Sequence, residues 1–289
     1  MFSLLFDRRY DKSSGQFTEM TVTSDEIQDA IVTLKQYMGI SLSVTNPANF
    51  LKDFLRSKTR NKQWPSEISQ AGYTARQAYS EGRVFDFVPY EKGQTVPFPD
   101  DFELPDDVTI HEIETVSLPS AARALGRGDE AWLIQVCVHQ RVLQTHFALF
   151  SPIEAIDLFH LQNSLKGTPE IDAVFLLAFK GEDHVPKKAL VTLEAKRDEP
   201  VLPNQIRSQA AVMAKQTRRR SALADIEFIL PVAAATFNRD GKRIVAIFEM
   251  EMVSVADGLA AHDSHTAHDL PISIAKVVGY ALVPPVVGV

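Results

Sequence analysis

The sequence predicts an α/β protein whose central sheet is covered by helices, and three consecutive segments support this prediction. Residues 173–179 (AVFLLAF) form an unbroken apolar run, which is typical of a central strand buried on both faces. Residues 189–196 (ALVTLEAK) predict a second strand. Residues 204–220 (NQIRSQAAVMAKQTRRR) then place apolar side chains at helical spacing. Two strands followed closely by a helix favour a sheet covered by helices.

Other segments of the second half are assigned from the same periodicities. Strand patterns are expected at residues 110–116, 131–150, 225–237 and 243–253, so the sheet should hold at least four strands. Residues 131–150 are long enough for two strands or for one strand bent near Arg141, and they place His146 in a strand. Residues 152–165 predict an amphipathic helix with apolar side chains at Ile153, Ile156, Leu161 and Leu165.

The first 90 residues are predicted to be largely helical. Residues 24–38 (SDEIQDAIVTLKQYM) combine an N-cap candidate, early acidic residues and helical apolar spacing. Residues 47–57 predict a second helix, and residues 84–88 (VFDFV) alternate as in a strand. Residues 91–108 contain three prolines and an acidic run, which predicts a linker or a long surface loop. We therefore expect an N-terminal region at residues 1–90 and a second domain at residues 109–289.

A basic cluster overlaps the second predicted helix. It comprises Lys52, Arg56, Lys58, Arg60 and Lys62. Trp64 follows, and basic side chains beside an aromatic ring suit a phosphate backbone and a base or sugar face. The cluster predicts a DNA-recognition surface. A solvated helix end would have the same composition, and the alternation of Lys58, Arg60 and Lys62 also fits one face of an extended loop.

Composition and charge argue against several classes of function and cofactor. The formal net charge of -7 argues against indiscriminate coating of nucleic acid but is compatible with a carboxylate-rich metal site. The apolar run at residues 1–6 is too short for a signal-peptide core or a membrane span, so a cytoplasmic location without a membrane partner is expected. Cys137 is the single cysteine and is expected to be buried. The histidines lack zinc spacing, and glycine loops for a nucleotide cofactor do not occur.

Three charged side chains stand at the ends of the two apolar strands. Asp172 begins the first strand, and Glu194 and Lys196 end the second, projecting from one face because strand side chains alternate. The polar segment 180–188 suits a hairpin, which would bring Asp172 beside Glu194. Hard carboxylate oxygens suit Mg²⁺, or Mn²⁺ in its place, and such a metal activates bound water. Lys196 is expected to orient or deprotonate that water.

The order Glu170-Ile-Asp172 followed by Glu194-Ala-Lys196 resembles the signature of PD-(D/E)xK nucleases. The resemblance covers roughly residues 150–250 and implies a restriction-endonuclease-like core, in which a mixed sheet is flanked by helices. It also implies that Asp172 and Glu194 hold the metal while Lys196 acts on the nucleophilic water. It departs from the strict form because Pro169 does not immediately precede Asp172.

The resemblance also suggests supporting residues. Related nucleases often carry a polar residue on the helix after the second motif, which corresponds here to Gln205 and Gln209. A helix before the first motif commonly supplies another acid, and Glu154 is the matching candidate. These residues also have structural interpretations. Gln205 and Gln209 could lie on the helix surface, and Glu170 could simply neutralise Lys166 or face solvent. Arg218, Arg219 and Arg220 could contact phosphate or only complement the helix dipole.

The functional hypothesis is a type II restriction endonuclease that hydrolyses double-stranded DNA with Mg²⁺. The N-terminal region resembles the corresponding parts of some such enzymes, and helicase and methyltransferase motifs are not found. A palindromic target would require two centres related by a two-fold axis, so a homodimer is expected. Two alternatives stay open: a structure-specific or repair nuclease, and a DNA-binding module with a decayed nuclease core.

Overall fold

A computed structural model of the chain describes residues 1–39, 47, 50–78, 82–99, 102–167, 169–181 and 184–289. The chain divides into two compact units, Met1–Asp100 and Asp101–Val289. The division falls inside the segment 91–108. Each unit has its own set of helices and strands.

The first unit mixes helices and strands. Its helices are α1 (Phe2–Asp7), α2 (Ser24–Met38), α3 (Phe50–Leu55), α4 (Arg60–Gln63) and α5 (Ser66–Gln70). Its strands are β1 (Tyr10–Asp11), β2 (Gln16–Phe17), β3 (Thr21–Thr23), β4 (Tyr73–Gln77) and β5 (Arg83–Pro89). Strands β3, β5 and β4 form one antiparallel sheet in that order, and β1 pairs with β2.

Two predictions for the first unit are confirmed, and a third is confirmed in part. The predicted helix at 24–38 is α2, where a capping box between Thr23 and Glu26 satisfies the first amides. The strand predicted at 84–88 lies within β5. The helix predicted at 47–57 is represented by α3, although residues 48 and 49 lie outside the described residues.

The second unit is built on one mixed sheet. Its strands run in the order β6, β13, β11, β10, β9, β8 and β7, and a short strand, β12 (Val253–Ser254), pairs with β10. The long strands are β6 (Ile110–Glu114), β7 (Ala155–Leu165), β8 (Ile171–Lys180), β9 (Pro186–Lys196), β10 (Phe228–Arg239), β11 (Lys242–Met250) and β13 (Ile274–Val283). The β9–β10 and β13–β6 pairs are parallel and the other pairs are antiparallel, so the predicted mixed sheet is confirmed.

Helices cover both faces of this sheet. The helices of the second unit are α6 (Ser120–Ala124), α7 (Glu130–His139), α8 (Val142–Leu149), α9 (Pro203–Arg218) and α10 (Val255–Asp263). Helices α7 and α8 pack on the face that carries Phe175 and Val191. Helix α9 packs on the opposite face, against Val174 and Leu190. Strands β8 and β9 are therefore buried on both sides, as their apolar runs predict.

The prediction for residues 131–150 was wrong. The segment forms helices α7 and α8 rather than strands, and His146 lies in α8. The buried residues of α7 are Leu133, Ile134, Val136 and Cys137, a helical spacing hidden among other apolar side chains. An apolar run with little polar contrast does not reveal its period, and its β-branched residues favoured the wrong alternative.

The prediction for residues 152–165 was also wrong, because this segment contains strand β7 rather than a helix. The register of β7 against β8 shifts twice, between Ala155 and Asp157 and between His160 and Gln162. Such shifts break the two-residue alternation that identifies a strand. Ile156 is 58% exposed, so the apolar residues assigned to a helical face do not share a buried side.

The other secondary-structure predictions for the second unit are confirmed. Strands β8 and β9 form the expected antiparallel hairpin, α9 follows them, and β10 and β11 complete the predicted pair of strands. Cys137 is buried, as expected from its apolar neighbours. None of the helices in the described ranges is both long and apolar enough to span a bilayer.

Candidate functional site

The pairing of β8 with β9 brings two carboxylates together. Ala173 lies opposite Leu193, and this antiparallel register continues to place Asp172 beside Glu194. The backbone amide of Ala195 donates a hydrogen bond to Asp172 Oδ2 over 2.8 Å. The start of one strand and the end of the next therefore form a single polar end of the hairpin.

Helix α9 holds the carboxylate of Glu194. Gln205 Nε2 donates to Glu194 Oε1 over 2.6 Å, and Gln209 Nε2 donates to Glu194 Oε2. Gln209 Nε2 also donates to the backbone oxygen of Glu170 over 2.8 Å, which ties the beginning of β8 to the same helix. Gln205 and Gln209 are one helical turn apart, so both amides reach one side chain. The structure thus places both glutamines at the site and not on the helix surface.

Lys196 lies between two acids. Its Nζ is 2.6 Å from Glu194 Oε1 and 2.8 Å from Glu130 Oε1, and it donates to the backbone oxygen of Ala195 over 3.1 Å. The residue is only 3% exposed. Burial alone would lower the pKa of Lys196, but the carboxylates of Glu194 and Glu130 outweigh it and raise that pKa above its usual value. Lys196 is therefore a fixed cation.

Asp172 has the opposite electrostatic setting. Burial and the charge of Glu194 raise the pKa of Asp172 to about 7, against the lowering effects of the Ala195 amide and of Lys196. Two carboxylates that repel each other beside one lysine leave an excess of negative charge. A cation bound between Asp172 and Glu194 would relieve it.

Glu130 is a site residue that sequence reasoning missed. It is the first residue of α7, where the Asp129 side chain caps the helix by accepting from the Trp132 amide over 2.8 Å. An Asp before an acidic first turn is a helix-start signal, and it could have corrected the strand prediction for this segment. Glu130 and Lys196 are 66 residues apart in the sequence, so no local sequence pattern could predict their contact.

The structure does not bring Glu154 or the Glu170 side chain to the site. Glu154 pairs with Lys180 over 3.0 Å at the opposite end of β8 from Asp172. The Glu170 carboxylate bonds to Ser164 and, over 2.7 Å, to Lys166, as the structural alternative for this residue anticipated. The segment predicted to supply Glu154 from a helix is a strand, which explains its displacement.

The basic cluster of the first unit is not a continuous exposed surface. Lys58 and Lys62 are exposed, and Lys52 and Arg56 are half-buried, but Arg60 is only 5% exposed. Arg60 and Lys62 lie in helix α4, so the cluster does not line an extended loop.

Trp64 has a structural role in the first unit. It is 4% exposed, packs against Phe2 and Phe98, and donates from Nε1 to the Tyr73 backbone oxygen over 3.2 Å. Its ring is therefore core and is not presented for base stacking. In the second unit, Arg218 ends α9 and, with Arg219 and Arg220, is exposed.

The hairpin end offers few protein ligands for a metal ion. In the ranges that the structure describes, no three His, Cys, Asp or Glu side chains are grouped as in a metal site. Asp172 and Glu194 provide two carboxylates, and Mg²⁺ is commonly held by one or two carboxylates with waters and substrate phosphates completing its shell. The residues therefore fit a hydrated Mg²⁺ and not an all-protein cage.

Comparisons of the chain with protein-family models, with curated protein sequences and with solved structures gave no match.

Proposed function

We propose that the protein is a Mg²⁺-dependent nuclease acting on double-stranded DNA. The observation that carries this proposal is the convergence of Asp172, Glu194 and Lys196 at one end of the β8–β9 hairpin. Asp172 and Glu194 would hold Mg²⁺, which when bound lowers the pKa of water and offsets charge on a phosphate.

The side chains divide the remaining chemistry. Lys196 keeps its proton because of its two acidic partners, so it would act as a fixed positive charge that offsets developing negative charge. Gln205 and Gln209 fix the orientation of the Glu194 carboxylate. Glu130 balances the charge of Lys196 from the start of α7. Each role is a positioning or electrostatic one that suits phosphodiester hydrolysis.

The finer assignment is a type II restriction endonuclease that acts as a homodimer. Its support is the presence of a separate unit at Met1–Asp100, which could read DNA sequence while the second unit carries the site. Lys58, Lys62 and the exposed run Arg218–Arg220 are the candidate phosphate contacts, by charge and exposure. A two-fold dimer would supply one centre for each strand of a palindrome.

The test is cleavage of a long defined duplex DNA with and without Mg²⁺. Wild type should give discrete fragments that need Mg²⁺, and Glu194→Ala should give none. Glu154→Ala is the matched control, because Glu154 is an exposed glutamate of the same domain at the far end of β8, and it should cleave like wild type.

Other products would redirect the proposal. A smear or nicking without fixed positions would favour a structure-specific or repair nuclease, which shares the chemistry. Absence of cleavage on diverse DNAs with Mg²⁺ or Mn²⁺ would overturn the nuclease proposal.

A further inference from the structure

Two buried amide oxygens beside Glu194 lack hydrogen-bond donors. Gln205 is 5% exposed and Gln209 is 1% exposed. Oε1 of each glutamine is fully buried and has no hydrogen-bond partner within the part of the chain that the structure describes. Because Oε1 and Nε2 share one carbon atom, both oxygens lie close to the Glu194 carboxylate that Nε2 contacts.

The orientation of these amides is chemically fixed. An ionised carboxylate only accepts hydrogen bonds, so the nitrogen of each amide must face Glu194 and the oxygen must face away from it. The unpaired oxygens are therefore not the result of two amides placed the wrong way round. A buried acceptor without a donor is unfavourable. In the described part of the chain Gln216 Oε1 on the same helix is also buried and unpaired, and what distinguishes Gln205 and Gln209 is that both of their amides hold Glu194, so their missing donors belong beside that carboxylate.

The neighbouring charged groups cannot supply those donors. With a cation bound, Asp172 and Glu194 are ionised and offer only acceptors, and the Lys196 ammonium is already shared among Glu194, Glu130 and the Ala195 backbone oxygen. The waters of a hydrated cation are suitable, because Mg²⁺ gives up its water shell reluctantly and each bound water presents O–H donors. The excess negative charge of Asp172 and Glu194 would hold such a cation at this position.

We propose that Gln205 and Gln209 accept hydrogen bonds from the water shell of a divalent cation bound at Asp172 and Glu194. Helix α9 thereby binds the cation through its waters, in addition to orienting Glu194. This inference rests on the metal centre of the proposed function and assigns the two glutamines a binding role there.

The test compares two cations by titration calorimetry. Mn²⁺ contacts carboxylates directly, whereas hexaamminecobalt(III) keeps its six ammonia ligands and binds only through N–H donors. Gln205→Met and Gln209→Met remove the amide and retain most of the side-chain volume. Gln216→Met on the same helix is the matched control, because Gln216 Oε1 is also buried and unpaired in the described part of the chain but lies about two turns beyond Gln209.

Wild type should bind both cations. Each of the two variants should weaken hexaamminecobalt(III) binding about tenfold, the size of one lost hydrogen bond to a charged species, and weaken Mn²⁺ binding clearly less. Gln216→Met should bind both cations like wild type. If Gln209→Met does not fold, Gln205→Met alone decides the test, because its amide holds Glu194 without also tying down the start of β8.

The outcomes separate this inference from the proposed function. Equal losses for both cations would mean that the glutamines only orient Glu194 and would overturn the inference, as would unchanged hexaamminecobalt(III) binding. Failure of wild type to bind Mn²⁺ would overturn the metal centre itself, and the inference would fall with it.

Discussion

Asp172 combines a functional position with an unfavourable charge. Burial and Glu194 raise its pKa from 3.8 to about 7, so the folded protein binds a proton that the unfolded chain has released between these values. Stability from this group is therefore present at low pH and is lost as pH rises through about 7. Without a metal, the ionised side chain opposes folding at alkaline pH.

Replacing this carboxylate should stabilise the metal-free protein. We expect Asp172→Asn to raise the melting temperature at pH 8, in the presence of chelator, because Asn keeps an acceptor for the Ala195 amide without the repulsion from Glu194. The increase should shrink toward pH 5, where wild-type Asp172 is protonated. Calorimetric melts across this pH range measure the effect, and an increase that is the same at both ends would contradict the assigned pKa.

Cation binding should depend on the same titration of Asp172, but it should be favoured at high pH, where this side chain is ionised. A metal ion binds ionised Asp172, so below pH 7 it competes with a proton. We expect the affinity for Mn²⁺ to fall by about tenfold for each pH unit below 7 and to level off above it. Calorimetry at several pH values in buffers of different ionisation enthalpy would also count the released proton. A pH-independent affinity would exclude Asp172 as a ligand.

Lys196 should be essential for stability as well as for chemistry. Lys196→Met leaves Glu194, which is fully buried, beside Glu130 and Asp172 without their shared cation. Loss of one partner from a buried ion pair costs about 3–5 kcal/mol of unfolding free energy. Urea denaturation would measure this loss. Lys188→Met is the control, because Lys188 is 47% exposed and its pair with Asp225 is screened by solvent, so the unfolding free energy should change little.

The residues of the candidate site differ in how far the sequence could predict them. Asp172, Glu194 and Lys196 were predictable because alternation along two adjacent strands fixes their faces from local sequence alone. For Gln205 and Gln209 the sequence left two alternatives, contact with the site or exposure on the helix surface. The choice depends on the rotation of α9 about its axis, which tertiary packing sets. Glu130 was missed because its helix was assigned as a strand and its partner is far along the chain.

At the scale of elements, prediction succeeded where apolar and polar residues were clearly separated along the sequence. Strands β8 and β9 have short apolar runs bounded by polar turns, and α9 alternates polar and apolar faces. Helices α7 and α8 lack that contrast, and β7 loses its alternation at two register shifts. The three wrong elements therefore share one cause, which is that their period is masked locally and is resolved only by tertiary packing.

The loop before α7 should be intolerant of added volume. A Cβ on Gly126 would lie 1.8 Å from the Val287 backbone oxygen and 2.5 Å from Trp132 Nε1, two atoms that are themselves hydrogen-bonded. Gly126→Ala should lower the unfolding free energy by about 1–3 kcal/mol, as overpacking does.

The neighbouring glycine provides the comparison for this loop. A Cβ on Gly128 meets the far end of the Arg197 side chain at 3.3 Å, a contact that a small side-chain shift relieves, so Gly128→Ala should change stability by about 0.5 kcal/mol or less. Urea denaturation of both variants would measure the difference. Equal effects would show that the contact with Val287 does not constrain the segment that leads to Glu130.

At the scale of the molecule, the candidate site belongs to one unit. Glu130, Asp172, Glu194, Lys196 and the two glutamines of α9 all lie in Asp101–Val289, as do the sheet and the helices that hold them. The sequence placed the division within residues 91–108 from composition alone. What it could not predict was the partly stranded structure of the first unit, in which Trp64 and Arg60 are core residues.

This division predicts that the two activities of the proposed enzyme can be separated. A fragment of residues 102–289 should fold, because it has its own core on both faces of the sheet, and should bind Mn²⁺ with the affinity of the full chain. Its cleavage of DNA should lose positional preference if the first unit reads sequence. Circular dichroism, Mn²⁺ calorimetry and fragment mapping on one defined duplex would measure these properties, with Glu194→Ala in the fragment as the control. A folded fragment that does not bind Mn²⁺ would show that the first unit completes the site, and a fragment with unchanged cleavage positions would move sequence recognition into the second unit.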